Sequence, residues 1–273
     1  MRTLSFSSVS EYNLPDEPFY SGEVSRLYKA QDTKLFRDVA VKEVDMQHMT
    51  EDSFKAEITA MCRFNDWSTR TPCIIETYRD KRERKGYIVM QWIRGMTMRE
   101  KIVARRDLHK AVKWIIDLCA ILEEPHKNRY QHRDIKPENI QITPVDEVYL
   151  LDFNISLKRP DRWSGTLAYA APEMQRNYSV TGNDRVDVFS IGVVLYELLT
   201  GERPVHDEHY YAESAHSKEW YEFKQPKDIN SKITESLNEI IGKCMKLNPR
   251  DRYPNASVLK VELERAKRNT FWK

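Results

Sequence analysis

Cysteine is scarce in this sequence, and the spacing of the cysteines argues against both metal binding and disulfide bonding. The 273 residues contain four cysteines, Cys62, Cys73, Cys119 and Cys244. They form no Cys-x-x-Cys pair and have no histidine cluster near them, which argues against a zinc site and against a disulfide framework. We expect reduced, mostly buried thiols in a cytoplasmic protein.

An excess of charge of one sign and a long apolar run are also lacking. Lys and Arg number 44 against 42 Asp and Glu, a formal net charge of +2. The composition therefore favours neither a nucleic-acid partner nor a membrane surface. The longest apolar run, residues 186–199, contains charged residues and is too short to span a bilayer. The first residues lack the apolar core of a signal peptide.

One octet carries chemistry-bearing side chains at close spacing, HRDIKPEN at residues 132–139. Asp134 can accept a proton from an attacking hydroxyl group. Lys136, on the same side of an extended loop, can neutralise a transferring phosphate. Asn139 offers an amide oxygen to a hard metal ion. The spacing indicates phosphoryl transfer.

The octet resembles the catalytic loop of protein kinases, in the version typical of the serine/threonine type. Other kinase motifs follow in the family's order over nearly the whole chain. The resemblance implies an α+β, bilobal protein kinase fold, with a small β-rich N-lobe containing one main helix and a larger, mainly helical C-lobe. We assign residues 1–15 to a flexible lead-in, 16–93 to the N-lobe, 94–268 to the C-lobe and 269–273 to a tail.

The glycine-rich loop of kinases is degenerate here. Only one of the three glycines of the motif is present, Gly22. Tyr20 and Ser25 stand at the other two glycine positions, and Leu27 stands at the valine position. Glycines in this loop let backbone amides approach the phosphates closely. The resemblance assigns Gly22 and Leu27 to ATP binding.

Residues 39–44, Val-Ala-Val-Lys-Glu-Val, have the alternation of a strand and contain Lys42. The resemblance implies that Ala40 contacts ATP and that Lys42 holds the α- and β-phosphates. The partner of this lysine should be a glutamate on the next helix. An apolar stripe at helical spacing through residues 51–64 has Glu57 beside it. We therefore predict an ion pair between Lys42 and Glu57.

The following segments resemble the path into the kinase hinge. Residues 74–85 and 86–93 are expected to form a hairpin. By the resemblance, Met90 is the gatekeeper, and the backbone of Gln91 and Ile93 contacts the adenine edge.

Periodicity and resemblance together outline the second lobe. We expect helices over residues 98–106, 109–128, 187–201 and 258–265. Residues 140–142 should form the strand beneath the adenine. Gln141 stands there in place of the family's usual apolar residue, where it either weakens base stacking or forms a hydrogen bond.

Asp152-Phe153-Asn154 replaces the Asp-Phe-Gly of kinases. The resemblance makes Asp152 the principal Mg²⁺ ligand, with Asn139 as the second. Asn154 suits the slot because asparagine tolerates left-handed backbone angles better than most residues. The expected cofactors are ATP and Mg²⁺, with Mn²⁺ as the substitute.

The activation segment, residues 152–173, ends in a Gly-Thr-x-x-Tyr-x-Ala-Pro-Glu pattern. By the resemblance, Thr166 helps to shape the acceptor site. Arg133 places the chain among kinases that often align the site through a phosphorylated loop residue. Ser156 and Ser164 are the candidate hydroxyls upstream of Thr166, and the sequence leaves the need for such phosphorylation open.

Five residues are assigned to structural support by the same resemblance, Arg133 and Thr166 together with Glu173, Asp187 and Arg252. Asp187, at the start of a buried helix, should accept hydrogen bonds from the catalytic-loop backbone. Arg252 should pair with Glu173 of the Ala-Pro-Glu motif.

The sequence thus predicts an ATP-dependent kinase that phosphorylates Ser/Thr hydroxyls of protein substrates and itself. A pseudokinase scaffold is the main alternative, favoured by the degenerate glycine loop, Gln141 and Asn154. Lys136 disfavours tyrosine or dual specificity, and the Ala-Pro-Glu segment argues against a small-molecule kinase of the aminoglycoside or choline type. We expect a stand-alone cytoplasmic enzyme without nucleic-acid or membrane partners, and its protein substrate and oligomeric state stay open.

Overall fold

The fold is seen in a computed structural model that describes residues 2–6, 10–104, 107–151, 167–176, 183–204 and 223–271. Contacts divide the chain between Arg94 and Gly95 into two compact units, which we call the first and the second unit. Several expected site residues, including Asp152, Asn154, Ser156, Ser164 and Thr166, lie outside the described residues.

The first unit is an antiparallel sheet with one helix. Its strands are β1 (Arg2–Ser5), β2 (Glu11–Leu14), β3 (Tyr20–Ser21), β4 (Ser25–Asp32), β5 (Arg37–Asp45), β6 (Ile74–Asp80) and β7 (Lys85–Gln91). The strand order is β1-β2-β4-β5-β7-β6, and β3 pairs with β4. The predicted hairpin is confirmed as β6 and β7.

The first residues of the chain form part of this sheet, so the assignment of residues 1–15 to a flexible lead-in is wrong. β1 and β2 form a hairpin, and β2 pairs with β4. Tyr12 and Leu14 are buried in the core. Phe6 stacks on Tyr78 of β6 with ring centroids 4.6 Å apart, and the Tyr12 hydroxyl donates to Glu76 of β6 at 3.0 Å. These contacts stabilise the two strands although the Ser-rich segment has a weak intrinsic preference for strand structure.

Helix α1 (Glu51–Trp67) carries the predicted apolar stripe. It begins after Thr50, whose hydroxyl accepts the backbone N–H of Ser53 at 3.2 Å and so satisfies one of the unpaired donors of the first turn. The residues that it buries are Phe54, Glu57, Ala60, Met61 and Phe64.

The second unit is mainly helical. Its helices are α2 (Met98–Ala104), α3 (Leu108–Lys127), α4 (Pro172–Arg176), α5 (Arg185–Thr200), α6 (Pro226–Ile229), α7 (Glu235–Cys244) and α8 (Ala256–Phe271). Every side chain of α5 after Arg185 is buried, which makes α5 the centre of this unit. It ends at Gly201, whose φ of 80° is a left-handed conformation that glycine adopts without steric cost.

The last helix extends beyond its predicted range. It runs to Phe271, so residues 269–271 continue a helix where a tail was assigned. The apolar positions that hold it, Leu259 and Leu263, are fully buried. Helical hydrogen bonding continues through these residues to Phe271.

A three-stranded sheet supports the loop that holds the HRDIKPEN octet. Its strands are β8 (Met96–Thr97), β9 (Ile140–Ile142) and β10 (Val148–Leu150), in the order β10-β9-β8. Gly95 lies directly against this sheet. A Cβ atom on Gly95 would lie 2.2 Å from the Ile142 carbonyl oxygen, so this position requires glycine.

Candidate active site

The first unit contains a buried ion pair between β5 and α1. Lys42 Nζ lies 2.7 Å from Glu57 Oε1, and the two residues are only 3% and 5% exposed. A buried lysine or glutamate is tolerated when it is paired. The ion pair predicted from the sequence is therefore present.

The other residues assigned to ATP binding in this unit lie around the same strand. Leu27 is opposite Lys42 in the β4–β5 register, and Ala40 is opposite Met90 in the β5–β7 register. Because cross-strand partners project from the same side of a sheet, these four side chains share one face. Gly22 lies in the turn before β4 and donates its backbone N–H to Ser25 at 2.8 Å.

The predicted hinge residues, Gln91 and Ile93, lie at and after the end of β7. Gln91 is the last residue of β7, and its backbone N–H donates to the Cys73 carbonyl at 2.9 Å. Ile93 is buried.

In the second unit, the predicted catalytic residues form one hydrogen-bonded cluster. Lys136 Nζ and Asn139 Nδ2 each donate to Asp134 Oδ2 at 2.9 Å. Asn139 Nδ2 also donates to the Asp134 backbone carbonyl at 2.9 Å. The Lys136 and Asn139 side chains thus meet at the Asp134 carboxylate. Transfer between a hydroxyl and a phosphate requires such a close grouping of polar side chains.

Asp187, the first buried acid of α5, holds the backbone before this cluster. Its carboxylate accepts the N–H groups of His132 and Arg133, each at 2.8 Å. It also accepts a hydrogen bond from His126 Nε2 at 3.0 Å. Arg133 has a φ of 64°, a left-handed conformation that costs energy in a residue other than glycine. Asp187 therefore provides the predicted support for a strained loop.

These hydrogen bonds also set the charge state of Asp187. Burial alone would raise the pKa of this carboxyl group. The hydrogen bonds from His126 and from the Arg133 backbone outweigh burial, so the pKa lies below its ordinary value. The carboxylate is consequently charged at neutral pH.

His132 links the cluster to the residue before Asp152. Its Nδ1 accepts the backbone N–H of Asp134 at 3.3 Å, so Nε2 carries the proton that is donated to the Leu151 carbonyl at 3.1 Å. The Leu151 N–H donates to the Asn139 carbonyl at 2.7 Å. The chain that enters Asp152 is thereby fixed beside Asn139.

The residues present suit a hard divalent cation. Both side-chain hydrogen bonds of Asn139 are made by its amide nitrogen, so the amide oxygen is the atom of this side chain that can bind a cation. Amide and carboxylate oxygens are the ligands that Mg²⁺ prefers. Asp152 is outside the described residues, and within the described part of the chain no group of three or more His, Cys, Asp or Glu side chains forms a metal site.

The remaining predicted support residues form a second ion pair. Arg252 donates to both oxygens of Glu173, at 2.7 and 2.9 Å. Arg252 is buried and also donates to three backbone carbonyl groups. This bidentate ion pair fixes the start of α4.

Gln141 lies buried in β9, between Thr97 and Tyr149 of the neighbouring strands.

Comparison with known proteins identifies the family. A family model described as "Protein kinase domain" matches residues 19–263. The chain belongs to the protein kinase domain family. The α+β kinase fold expected from the sequence is confirmed, with a β-rich first lobe containing one helix and a mainly helical second lobe.

Curated relatives of this kinase domain include three bacterial proteins. It is 31% identical to the serine/threonine-protein kinase PknB of Mycobacterium leprae over 264 residues, 89% of this chain and 41% of that protein. It is 31% identical over 273 residues to a probable serine/threonine-protein kinase of Clostridium acetobutylicum, covering 93% and 40% of the two chains. A similar protein of Clostridium perfringens is 32% identical over 263 residues, covering 91% and 37%. This chain therefore spans about two fifths of the length of these relatives.

The kinase domain has one prominent polar contact set that the sequence did not indicate. Arg99 of α2 contacts Glu138, Glu197 and Tyr169. The partners lie 39, 98 and 70 positions along the chain, too far for any local pattern to pair them. The weak signal that exists is the charged residue Glu197 within an otherwise apolar helix, because a buried carboxylate requires a partner.

Within the described parts of the kinase domain, none of the helices combines the length and the apolar character needed to cross a bilayer.

Proposed function

We propose that this chain is an ATP-dependent protein kinase that transfers the γ-phosphoryl group to Ser/Thr hydroxyls of protein substrates, including its own. The observation that carries the proposal is the cluster in which Lys136 and Asn139 both donate to the Asp134 carboxylate. The names of its curated relatives support the Ser/Thr class. Lys136 supports the same class, because tyrosine kinases usually lack that lysine.

In this mechanism the side chains of the two units have separate roles in the reaction. Asp134 orients the acceptor hydroxyl and accepts its proton, and Lys136 stabilises charge on the γ-phosphate. Lys42, held by Glu57, positions the α- and β-phosphates. Asn139 and Asp152 would hold Mg²⁺, or Mn²⁺ in its place, which neutralises charge on the phosphates when it is bound.

Residues of the first unit would hold the nucleotide base. Leu27, Ala40 and Met90 share a sheet face with Lys42, Gly22 lies in the turn before β4, and Gln91 and Ile93 lie at and after the end of β7. Gln141 of β9 is assigned to ATP binding as well, by its position in the family's motif order.

The test is transfer of labelled phosphate from γ-labelled ATP to a generic basic protein, with Mg²⁺ or Mn²⁺, followed by phosphoamino-acid analysis. We expect label on Ser or Thr with the wild type. Asp134→Asn should lower transfer by about a thousandfold, because it removes the proton acceptor while keeping the side-chain shape. Label on tyrosine would contradict the assigned residue class.

Asp117→Asn is the matched control. Asp117 Oδ2 lies 2.7 Å from Lys113 Nζ on α3, so this variant removes an Asp–Lys ion pair away from the cluster. It should retain wild-type transfer. A folded wild-type protein that transfers no phosphate at saturating nucleotide would overturn the proposal.

A binding module without turnover is the second candidate. The observation that favours it is the position of Tyr20, whose side chain lies 3.1 Å from where a Cβ atom of Gly22 would be. A bulky ring thus lies against the backbone that cradles phosphates in other kinases. Mg·ATP binding without phosphate transfer would establish this function.

We propose a cytoplasmic location from the state of the cysteines. Cys62, Cys73, Cys119 and Cys244 are all free thiols, and the first two are exposed. Exposed free thiols persist in reducing compartments. Fractionation of the source cells would test this.

A further inference from the structure

Arg99, at the start of α2, connects three separate segments of the second unit. Its Nε donates to Glu138 Oε1 at 2.8 Å and its Nη1 to Glu197 Oε1 at 2.5 Å. Its Nη2 donates to the Tyr169 hydroxyl. All three nitrogen atoms of the guanidinium group are therefore used, each on a different element.

The contact with Glu197 is required electrostatically. Glu197 lies inside α5 and is 5% exposed. Its second oxygen, Oε2, accepts the Tyr169 hydroxyl at 2.5 Å. A buried carboxylate without a cation is strongly unfavourable. Burial lowers the pKa of Arg99, but the hydrogen bonds to Glu197 and Glu138 outweigh burial and raise the pKa, so the guanidinium stays charged.

The contact with Glu138 reaches the catalytic loop. Glu138 is the middle residue of the 3₁₀ turn Pro137–Asn139, and Asn139 is the residue that donates to Asp134. Holding Glu138 therefore fixes the turn from which Asn139 projects.

The contact with Tyr169 fixes the segment before the Ala-Pro-Glu motif. Tyr169 lies in the 3₁₀ turn Leu167–Tyr169, and its carbonyl accepts the Ser190 hydroxyl of α5 at 2.8 Å. The Arg99 guanidinium lies over its ring, with Cζ 6.0 Å from the ring centroid. Arg99 and α5 thus hold this segment from two sides.

We propose that Arg99 is a positioning residue for phosphoryl transfer, which aligns the Asn139 turn and the Tyr169 segment through one guanidinium group. This inference rests on the proposed kinase function. Arg99 acts through Glu138 and Tyr169, and it belongs to a different unit from Lys42 and Glu57. Its loss should therefore affect kcat rather than the KM for ATP.

The test compares Arg99→Ala with Arg99→Lys and with Arg265→Ala. Arg265 pairs with Glu262 on the exposed face of α8, at 2.8 Å, and serves as the matched control for loss of an arginine ion pair. Because small displacements of catalytic groups cost up to about a hundredfold in rate, Arg99→Ala should lower kcat by about tenfold or more. The KM for ATP should stay within about twofold of wild type, since uniform nucleotide binding is untouched.

Guanidinium ion is the probe that separates positioning from general damage. Arg99→Ala leaves two carboxylates and a hydroxyl around a space of guanidinium shape. Low-millimolar guanidinium chloride should therefore restore part of its kcat and raise its melting temperature without nucleotide. Wild type and Arg265→Ala should show neither effect, with sodium chloride at equal ionic strength as the salt control.

Three outcomes overturn the proposal. The first is a kcat of Arg99→Ala equal to that of Arg265→Ala. The second is a lower kcat that guanidinium does not restore, together with no rise in melting temperature. If Arg99→Ala does not fold, Arg99→Lys decides: it keeps the charge but cannot reach three acceptors, so a wild-type kcat would contradict the proposal. A wild type without any transfer is a separate result, which overturns the proposed function itself.

Discussion

At the scale of single residues, Asp187 has the most demanding role. It is fully buried and accepts hydrogen bonds from the backbone of His132 and Arg133 and from His126. His126 Nδ1 accepts the backbone N–H of Ala256 at 3.2 Å, which leaves the proton on Nε2 for Asp187. This carboxylate therefore joins α5 directly to α3 and to the HRDIKPEN loop, and it is linked to the start of α8 through His126.

The first prediction concerns Asp187→Asn. Asparagine keeps the shape but replaces one acceptor oxygen with an N–H donor that faces other donors. We expect a loss of about 2–4 kcal/mol in the free energy of unfolding at neutral pH, because buried donors lose their acceptor. Urea denaturation measures this loss. Asp146→Asn, at a partly exposed Asp–Lys pair of 2.9 Å, is the control and should change stability by less than about 1 kcal/mol.

The same carboxylate predicts a pH dependence. The pKa of Asp187 is lower in the folded protein than in the unfolded chain, where an aspartate titrates near pH ~3.9. Its stabilising contribution is thus fully present above about pH 4 and is lost as the pH falls through the lower folded value. The difference in unfolding free energy between wild type and Asp187→Asn should be constant from neutral pH down to about pH 4, and it should shrink at lower pH. A difference that shrinks above pH ~5 would contradict the lowered pKa.

At the scale of elements, the N-terminal hairpin completes the core of the first unit. Phe6 follows β1 and contacts three tyrosine rings, Tyr12, Tyr78 and Tyr87, at centroid distances of 5.6, 4.6 and 5.5 Å. Arg2 of β1 donates to the buried Glu43 of β5 at 2.6 Å. The hairpin therefore supplies both apolar cover and a counter-charge to the strand that carries Lys42.

The second prediction tests this role with Phe6→Ala. The loss of a half-buried aromatic ring and its stacked partner should cost about 1–3 kcal/mol in unfolding free energy. Phe36→Ala is the matched control, since Phe36 is 86% exposed and should contribute little. Equal midpoints in urea for the two variants would mean that the hairpin does not belong to the core.

The third prediction compares two glycines. Gly95→Ala places a Cβ atom 2.2 Å from the Ile142 carbonyl oxygen, so β8 and β9 must separate. We expect a destabilisation of about 2 kcal/mol or more, as overpacking against backbone cannot relax easily. Gly242 lies within α7 and an added Cβ there meets nothing within 4 Å. Gly242→Ala should stabilise by about 0.5–1 kcal/mol through helix propensity, and a loss at both sites would contradict the open space at Gly242.

The elements differ in how well the sequence predicted them, for physical reasons. Helices α1, α3 and α5 were found because each has an apolar stripe or a continuous apolar run. Strands β1 and β2 were missed because their stability comes from contacts with Tyr78 and Glu76, which lie far along the chain. Motifs gave the residues of the catalytic cluster and the Lys42–Glu57 pair. Arg99 carries no motif, so its contacts required the tertiary structure.

At the scale of the whole molecule, the residues proposed for phosphate transfer and most of those proposed for nucleotide binding belong to different units. Lys42 and Glu57 belong to the first unit, and Asp134 and Asn139 belong to the second. Nucleotide binding and phosphate transfer should therefore respond differently to substitutions in the two units. This difference also separates an active kinase from a binding module.

The last prediction uses the shift in melting temperature caused by Mg·ATP, each variant being compared with its own nucleotide-free state. Ligand at 100 times its Kd stabilises the folded state by about 2.7 kcal/mol. Lys42→Met should lose most of this shift, because it removes the cation that holds the phosphates. Asp134→Asn should keep the shift and lose transfer, since Asp134 acts on the acceptor hydroxyl. Lys260→Met, which removes a Lys–Glu pair of 2.9 Å between α8 and Glu123 of α3, is the control and should keep both. Loss of the shift in Asp134→Asn as well would show that Asp134 serves nucleotide binding. A shift in wild type without transfer would establish the binding module.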